Sequence, residues 1–159
     1  MVNKIAYEKV SRSPEETQRF GIHIGELCLP GDVFLLVGSL GTGKTCLTQG
    51  IAWGLGIKEY AASPSFVVVR ELYGRLPLYH IDLYRLDRIE EIADLGLDDY
   101  LYGNGVCVVE WAEKGLSVLP REYLLIQISY VSDNERKLQL KPNGKRYLEI
   151  LTHLKKLGS

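Results

Sequence analysis

The sequence lacks the pairing patterns of a metal- or disulfide-stabilised protein. It has three cysteines, none in a C-x-x-C pair, and three scattered histidines. An odd number of thiols argues against a disulfide framework, and the spacing fits no common zinc motif. We therefore expect reduced, buried thiols at Cys28, Cys46 and Cys107.

Long apolar runs and a charge excess of one sign are also missing. No run approaches the length of a membrane-spanning helix, and the first residues, MVNKIAYEKV, contain no apolar signal segment. The formal net charge is −1, so no basic field draws the protein onto RNA or lipid. These absences predict a cytoplasmic protein without membrane contact, which would need a partner to hold any nucleic acid.

What remains is the composition of a globular domain, with 46% hydrophobic and 25% charged residues in a chain of 159. We expect a single domain over 1–159, because dividing it would leave each half short of apolar burial. Apolar spacing predicts a three-layer α/β fold with a mixed, mainly parallel central sheet. Strands are predicted at 4–11, 33–37, 66–69, 78–82, 106–109, 123–130 and 137–141, and helices after Ser13 and at 44–55, 89–95 and 146–157. Ser13 is the predicted N-cap of the first helix, and Glu16 would close a capping box.

The most specific stretch is GSLGTGKT at 38–45, which matches the phosphate-binding pattern G-x-x-x-x-G-K-[ST]. It follows a buried strand and opens a helix, as that motif requires, and so predicts a P-loop NTPase-like domain. The glycines allow several N–H groups to converge on one anion. Lys44 would reach the β- and γ-phosphates, and the Thr45 hydroxyl would complete a Mg²⁺ shell. The loop residues predicted to bind nucleotide are Gly38, Ser39, Leu40, Gly41, Thr42, Gly43, Lys44 and Thr45.

Two carboxylates could complete the site. Glu110 follows the apolar run 106–109, and Asp82 follows the strand pattern at 78–81. An acid at the carboxyl end of a buried strand can face the phosphates. We favour Glu110 for magnesium and Asp82 for orienting water, and the reverse assignment stays open.

The nucleotide itself is less strongly specified. No N-K-x-D guanine signature occurs, so ATP is favoured over GTP. Arg85 and Arg88, just beyond Asp82, are either charge stabilisers or solvated surface residues.

Four stretches together resemble one family. They are GSLGTGKT at 38–45, SPSF at 63–66, HIDLYR at 80–85 and EW at 110–111. In order and spacing they are similar to the small bacterial ATPase of tRNA threonylcarbamoyladenosine synthesis, the TsaE or YjeE family. DLGLDDY at 94–100 is similar as well. The H-x-D-L-Y-R stretch before E-W makes the resemblance specific, since the phosphate loop alone is widely shared.

The resemblance implies an ATPase that acts with TsaD-like and TsaB-like subunits. That complex transfers a threonylcarbamoyl group to N6 of the adenosine 3′ of the anticodon, in tRNAs that read codons beginning with A. ATP hydrolysis would reset the complex rather than perform the transfer, and tRNA would be reached through the complex. We expect slow hydrolysis by the isolated protein, because no residue stands out as an arginine finger.

The resemblance also implies roles for individual residues. Residues 41–46 would bind phosphates, with Thr45 and Glu110 at the magnesium and Asp82 as an acid needed for activity. Trp111 would contact the nucleotide or the partner, or would simply pack in the core. The stretch 63–66 is either a loop that moves with nucleotide state or a plain Ser-Pro turn.

The chain departs from the family pattern at three positions. Cys46 replaces a hydroxyl residue, which leaves only its backbone N–H as a phosphate contact. Ala112 stands where proline is usual, and Ser65 where threonine is frequent.

Two other functions compete with the ATPase. A small-molecule kinase would use the same loop, but it needs a lid with several arginines, and Arg85, Arg88 and Arg121 are dispersed. A binding module without turnover would lack the two acidic residues, and both are present.

Overall fold

The computed structural model describes residues 6–39, 41–59 and 69–158, which form a sheet with helices on both faces. In chain order the elements are β1 (Tyr7–Ser11), α1 (Pro14–Leu27), β2 (Val33–Val37), α2 (Lys44–Gly54), β3 (Val69–Tyr73), β4 (Pro77–Asp82), α3 (Ile89–Ala93), α4 (Asp98–Leu101), β5 (Val106–Glu110), β6 (Tyr123–Tyr130), β7 (Arg136–Asn143) and α5 (Lys145–Gly158). Two short 3₁₀ turns, Ala112–Lys114 and Leu116–Val118, connect β5 to β6. No helix in this part of the chain is long and apolar enough to cross a membrane.

The seven strands described lie in the order β1-β7-β6-β2-β5-β4-β3. The four at the centre, β6, β2, β5 and β4, run parallel to one another, and the outer pairings are antiparallel. This confirms the predicted α/β class and the mixed sheet with a parallel centre. Strands buried on both faces need apolar residues at every position, which is why 33–37 and 106–109 gave continuous apolar runs.

Alternation along the strands divides the core into two clusters. One lies between the sheet and α1, α2 and α5, and it includes Phe34, Leu36, Val106 and Val108. The other lies under α3, α4 and the 3₁₀ turns, and it includes Val33, Leu35, Cys107 and Val109. The predicted three layers are confirmed.

The start of α1 follows the predicted capping with one change. Ser13 Oγ accepts the Glu16 N–H at 3.1 Å, as expected of an N-cap. The Glu16 carboxylate, however, accepts the N–H of Arg12 at 2.8 Å, one residue before the cap. The reciprocal bond of the predicted capping box is therefore displaced by one residue.

The predicted bounds of β3 and α3, one missed helix and one thiol need correction. The strand expected at 66–69 is observed as Val69–Tyr73, and residues 66–68 lie outside the described residues. It is an edge strand whose residues are mostly partly or fully exposed, so its apolar pattern is weak. The helix α3 ends at Ala93 rather than at residue 95, and α4 was not predicted. Cys28 and Cys107 are free and buried as expected, whereas Cys46 is also free but only half-buried.

Close packing of α1 on α2 sets the position of the helix that follows the phosphate loop. Gly21 and Gly25 of α1 face Gly50 and Gly54 of α2, and a Cβ at any of these positions would collide with backbone of the other helix. At Gly21 the added Cβ would lie 2.6 Å from the Leu47 carbonyl oxygen. The two helices can approach this closely only because side chains are missing at the crossing.

Gly21→Ala should destabilise the fold by about 1–3 kcal/mol, because forced overpacking displaces backbone in a well-packed region. Urea unfolding followed by circular dichroism measures the loss of free energy of unfolding. Arg19→Ala, at an exposed position of the same helix, is the matched control and should change stability by less than about 0.5 kcal/mol. Equal stability of the two variants would contradict the close crossing.

Candidate nucleotide-binding site

The predicted phosphate loop, residues 38–45, connects the carboxyl end of the central strand β2 to the first turn of α2. Gly41 (φ 80°) and Gly43 (φ 112°) adopt left-handed backbone conformations that disfavour any other residue. Gly43 is also the N-cap of α2, so the free N–H groups and the positive end of the helix dipole lie at the loop. An anion is the ligand that such a loop favours.

Lys44 is held at the loop by two carbonyl groups and an aromatic ring. Its Nζ donates to Gly38 O at 2.6 Å and to Ser39 O at 2.9 Å, and it lies 3.9 Å from the centre of the Trp111 ring. Burial lowers the pKa of Lys44, and the negative charge of Glu110 opposes that shift. The ammonium group thus lies among uncharged partners that phosphate oxygens could replace.

Glu110 is a buried acid with three side-chain partners. It is only 2% exposed. Its Oε1 accepts the Thr45 hydroxyl at 3.3 Å, and its Oε2 accepts the Thr48 hydroxyl at 3.0 Å. His80 Nε2 lies 2.6 Å from the same Oε2. Although it ends its strand, Glu110 is therefore not an exposed surface carboxylate.

The secondary structure explains why these groups meet. Val106 and Val108 of β5 face α2, and by strand alternation Glu110 faces the same side. Thr45 and Thr48 are three residues apart on α2, so both hydroxyls lie on one helix face. A helix and a strand that are distant in sequence thus assemble one polar cluster under the loop.

Asp82 ends β4 directly beside Glu110, its register partner on the neighbouring parallel strand. Its Oδ1 accepts the Tyr84 N–H at 2.9 Å. Burial, and secondarily the charge of Glu110, raise the pKa of Asp82 above its ordinary value. Two adjacent carboxylates, one of them destabilised as an anion, form an environment that a bound cation would stabilise.

Trp111 connects this cluster to the surface. Among the described residues it is the one non-glycine with a positive φ, at 59°, so the chain turns sharply just after Glu110. Its ring lies over Lys44 on one side and 5.0 Å from the Tyr84 ring on another. The side chain is partly buried and packs against the core cluster under α3 and α4.

Comparison with known proteins identifies the family. Residues 11–138 match the model described as threonylcarbamoyl adenosine biosynthesis protein TsaE. This chain belongs to the TsaE family. Proteins named tRNA threonylcarbamoyladenosine biosynthesis protein TsaE are 43% identical in Treponema pallidum, over 81% of this chain and 96% of that protein, and 46% identical in Bacillus subtilis, over 85% of each.

A crystal structure of Bacillus subtilis YdiB has the same fold as this TsaE-family chain. The TM-score is 0.86 at 38% sequence identity, and the match covers 100% of this chain and 99% of that one. Both the fold class and the family resemblance predicted from the sequence are confirmed.

The structure brings most of the site residues that were predicted from the sequence together. Lys44, Thr45, Glu110 and Trp111 lie around the loop, and Asp82 is adjacent through the sheet register. Leu40 and residues 63–66 lie outside the described residues. Arg85 and Arg88 are exposed, and the Arg88 N–H caps α3 by donating to Glu91.

Sequence reasoning missed two partners of Glu110, namely His80 and Thr48. The one signal in the sequence was spacing. His80 lies two residues before Asp82, so both are on the same face of one strand, and Thr48 lies three residues after Thr45, so both are on the same face of α2. The strand pairing that joins them to Glu110 is not visible in the sequence.

Proposed function

We propose that this protein is the ATP-hydrolysing subunit of the machinery that makes threonylcarbamoyladenosine in tRNA. Its membership of the TsaE family and the names of its relatives support the pathway. The contact between Thr45 and Glu110 beneath a phosphate loop carries the enzymatic part. A hydroxyl and a carboxylate joined at a loop of this kind are the residues that hold Mg²⁺ on a nucleoside triphosphate.

Magnesium-bound ATP fits the residues present. Gly38–Cys46 would bind the phosphates mainly through backbone N–H groups, and Lys44 would exchange its two carbonyl partners for phosphate oxygens. Thr45 and Glu110 would hold Mg²⁺ with hard oxygen ligands, the type this ion prefers. When bound, Mg²⁺ would neutralise charge that develops on the phosphates.

The reaction is transfer of the γ-phosphoryl group to water, which yields ADP and inorganic phosphate. Asp82 would orient the attacking water, since it lies beside Glu110 at the same edge of the sheet. Lys44 and the loop N–H groups would stabilise the developing charge. Trp111 would contact the nucleotide through its position over Lys44.

Hydrolysis would reset a complex rather than drive the group transfer. TsaD-like and TsaB-like subunits are the proposed partners, and tRNA would be reached through them. The sequence marks no residue as an arginine finger, so we expect slow turnover by the isolated chain. A partner would then complete the site and read whether ATP is bound.

The test is ATP hydrolysis by the purified protein, alone and with the two partner subunits from the same organism. We expect a slow basal rate that the partners raise about tenfold or more, because a group supplied in trans can stabilise phosphoryl transfer strongly. A rate that ignores the partners, but rises with a metabolite that becomes phosphorylated, would make the protein a small-molecule kinase.

A further inference from the structure

His80 is a buried histidine to which the proposed reaction assigns no role. It lies on β4, is 0% exposed, and places Nε2 2.6 Å from Glu110 Oε2. Its Nδ1 has no hydrogen-bond partner among the residues that the structure describes. A buried imidazole that makes a single short contact, aimed at the acid beneath the phosphate loop, requires a chemical explanation.

Among the three side chains that contact Glu110, His80 is the principal hydrogen-bond donor. An ionised carboxylate only accepts, so Nε2 carries the hydrogen in this contact. The Thr48 hydroxyl has one hydrogen but two acceptors, Lys44 O at 2.9 Å and Glu110 Oε2 at 3.0 Å. Thr48 therefore shares its hydrogen, whereas His80 has no other acceptor within the described residues.

The two oxygens of Glu110 consequently have different surroundings. Oε2 contacts His80 of β4 and Thr48 of α2. Oε1 faces Thr45, at the start of α2 beneath the loop. A carboxylate fixed by one oxygen presents the other in a defined direction, which is how outer hydrogen bonds orient metal ligands.

We infer that His80 is a positioning residue that orients Glu110 for magnesium. Its Nε2–H fixes Oε2 and so directs Oε1 toward Thr45 and the nucleotide-bound ion. The inference rests on the proposed function, because it assumes that Thr45 and Glu110 hold Mg²⁺. It extends that function because His80 would raise the metal affinity of the site although it touches neither metal nor nucleotide.

Two amide substitutions of different length provide the test. The amide nitrogen of His80→Gln reaches about as far as Nε2 and can still donate to Glu110, whereas the side chain of His80→Asn is one methylene too short. Mn²⁺ replaces Mg²⁺ as a paramagnetic probe, and its binding to the protein–ADP complex is followed by electron paramagnetic resonance. ADP affinity is measured separately in the presence of a chelator.

We expect His80→Asn to weaken Mn²⁺ binding about 10- to 100-fold, the usual effect of losing such an outer partner. His80→Gln should stay within a few-fold of the unmodified protein, and metal-free ADP affinity should be unchanged in both. Rescue by glutamine but not asparagine would separate positioning from mere filling of space.

Two results would overturn the inference: Mn²⁺ affinity in His80→Asn equal to that of the unmodified protein, or equal losses in both variants. If His80→Asn fails to fold, the Mn²⁺ affinity of His80→Gln alone decides, and a loss of 10-fold or more there would count against the role. Failure of the unmodified protein to bind ADP would instead refute the proposed function itself.

Discussion

Lys44→Ala is expected to lower ATP hydrolysis by about 10²–10³-fold, the loss typical of removing one group that stabilises transition-state charge. Nucleotide affinity should fall as well, because the substitution removes the Lys44 ammonium group from the loop. The domain should remain folded, since among the described residues the Nζ contacts just two loop carbonyls, those of Gly38 and Ser39, and the Trp111 ring. Phosphate release and calorimetric ADP binding measure the two effects.

Lys137→Ala is the matched control for this substitution. It removes the same charge from β7, where Lys137 makes a 4.0 Å surface contact with Glu8, and such pairs contribute little. Hydrolysis by this variant should equal that of the unmodified protein. If folded Lys44→Ala also hydrolysed ATP at the unmodified rate, residues 38–45 would not be a phosphate-binding loop.

The parts of the fold that were predictable are those with strong local patterns. The strands β2 and β5 are buried on both faces, and their uninterrupted apolar residues mark them clearly. At the edge of the sheet, β3 has one strand neighbour and accommodates Arg70 and Glu71, so no apolar run reveals it. Four-residue α4 is too short to show helical periodicity.

The candidate site likewise has residues that were predictable from the sequence and a contact that was not. Lys44 and Thr45 were predictable because the loop motif is contiguous, and Glu110 and Asp82 because each ends a buried strand. The hydrogen bond from His80 to Glu110 joins residues 30 positions apart and depends on the pairing of β4 with β5. That pairing is tertiary, so a single sequence does not show it.

The backbone at Trp111 is a further feature that only the structure shows. A left-handed backbone conformation is costly for a residue as bulky as tryptophan. No local sequence preference predicts it. It follows Glu110 directly, and it lets the chain leave β5 while the indole ring turns over Lys44. The strain therefore occurs between Glu110 and the contact of the indole ring with Lys44, and strained backbone of this kind is common at functional sites.

The roles of the two acids can be separated by Glu110→Gln and Asp82→Asn, which each remove one charge with little change of shape. Glu110→Gln should weaken metal binding to the ADP complex and lower hydrolysis about 10²-fold or more. Its amide N–H₂ must face either His80 Nε2 or the Thr45 hydroxyl, and both donate to the carboxylate. The substitution therefore removes charge and also disrupts the hydrogen bonds that orient the side chain.

Asp82→Asn should leave metal-dependent ADP binding nearly unchanged and lower hydrolysis by a similar factor, because its proposed role is to orient water. Among the described residues, the Asp82 carboxylate accepts the Tyr84 N–H, and an amide oxygen can accept this bond as well. Manganese titration and single-turnover hydrolysis on both variants give four measurements. If Asp82→Asn loses metal affinity while Glu110→Gln keeps it, the two roles are reversed, and His80 then orients the residue that activates water.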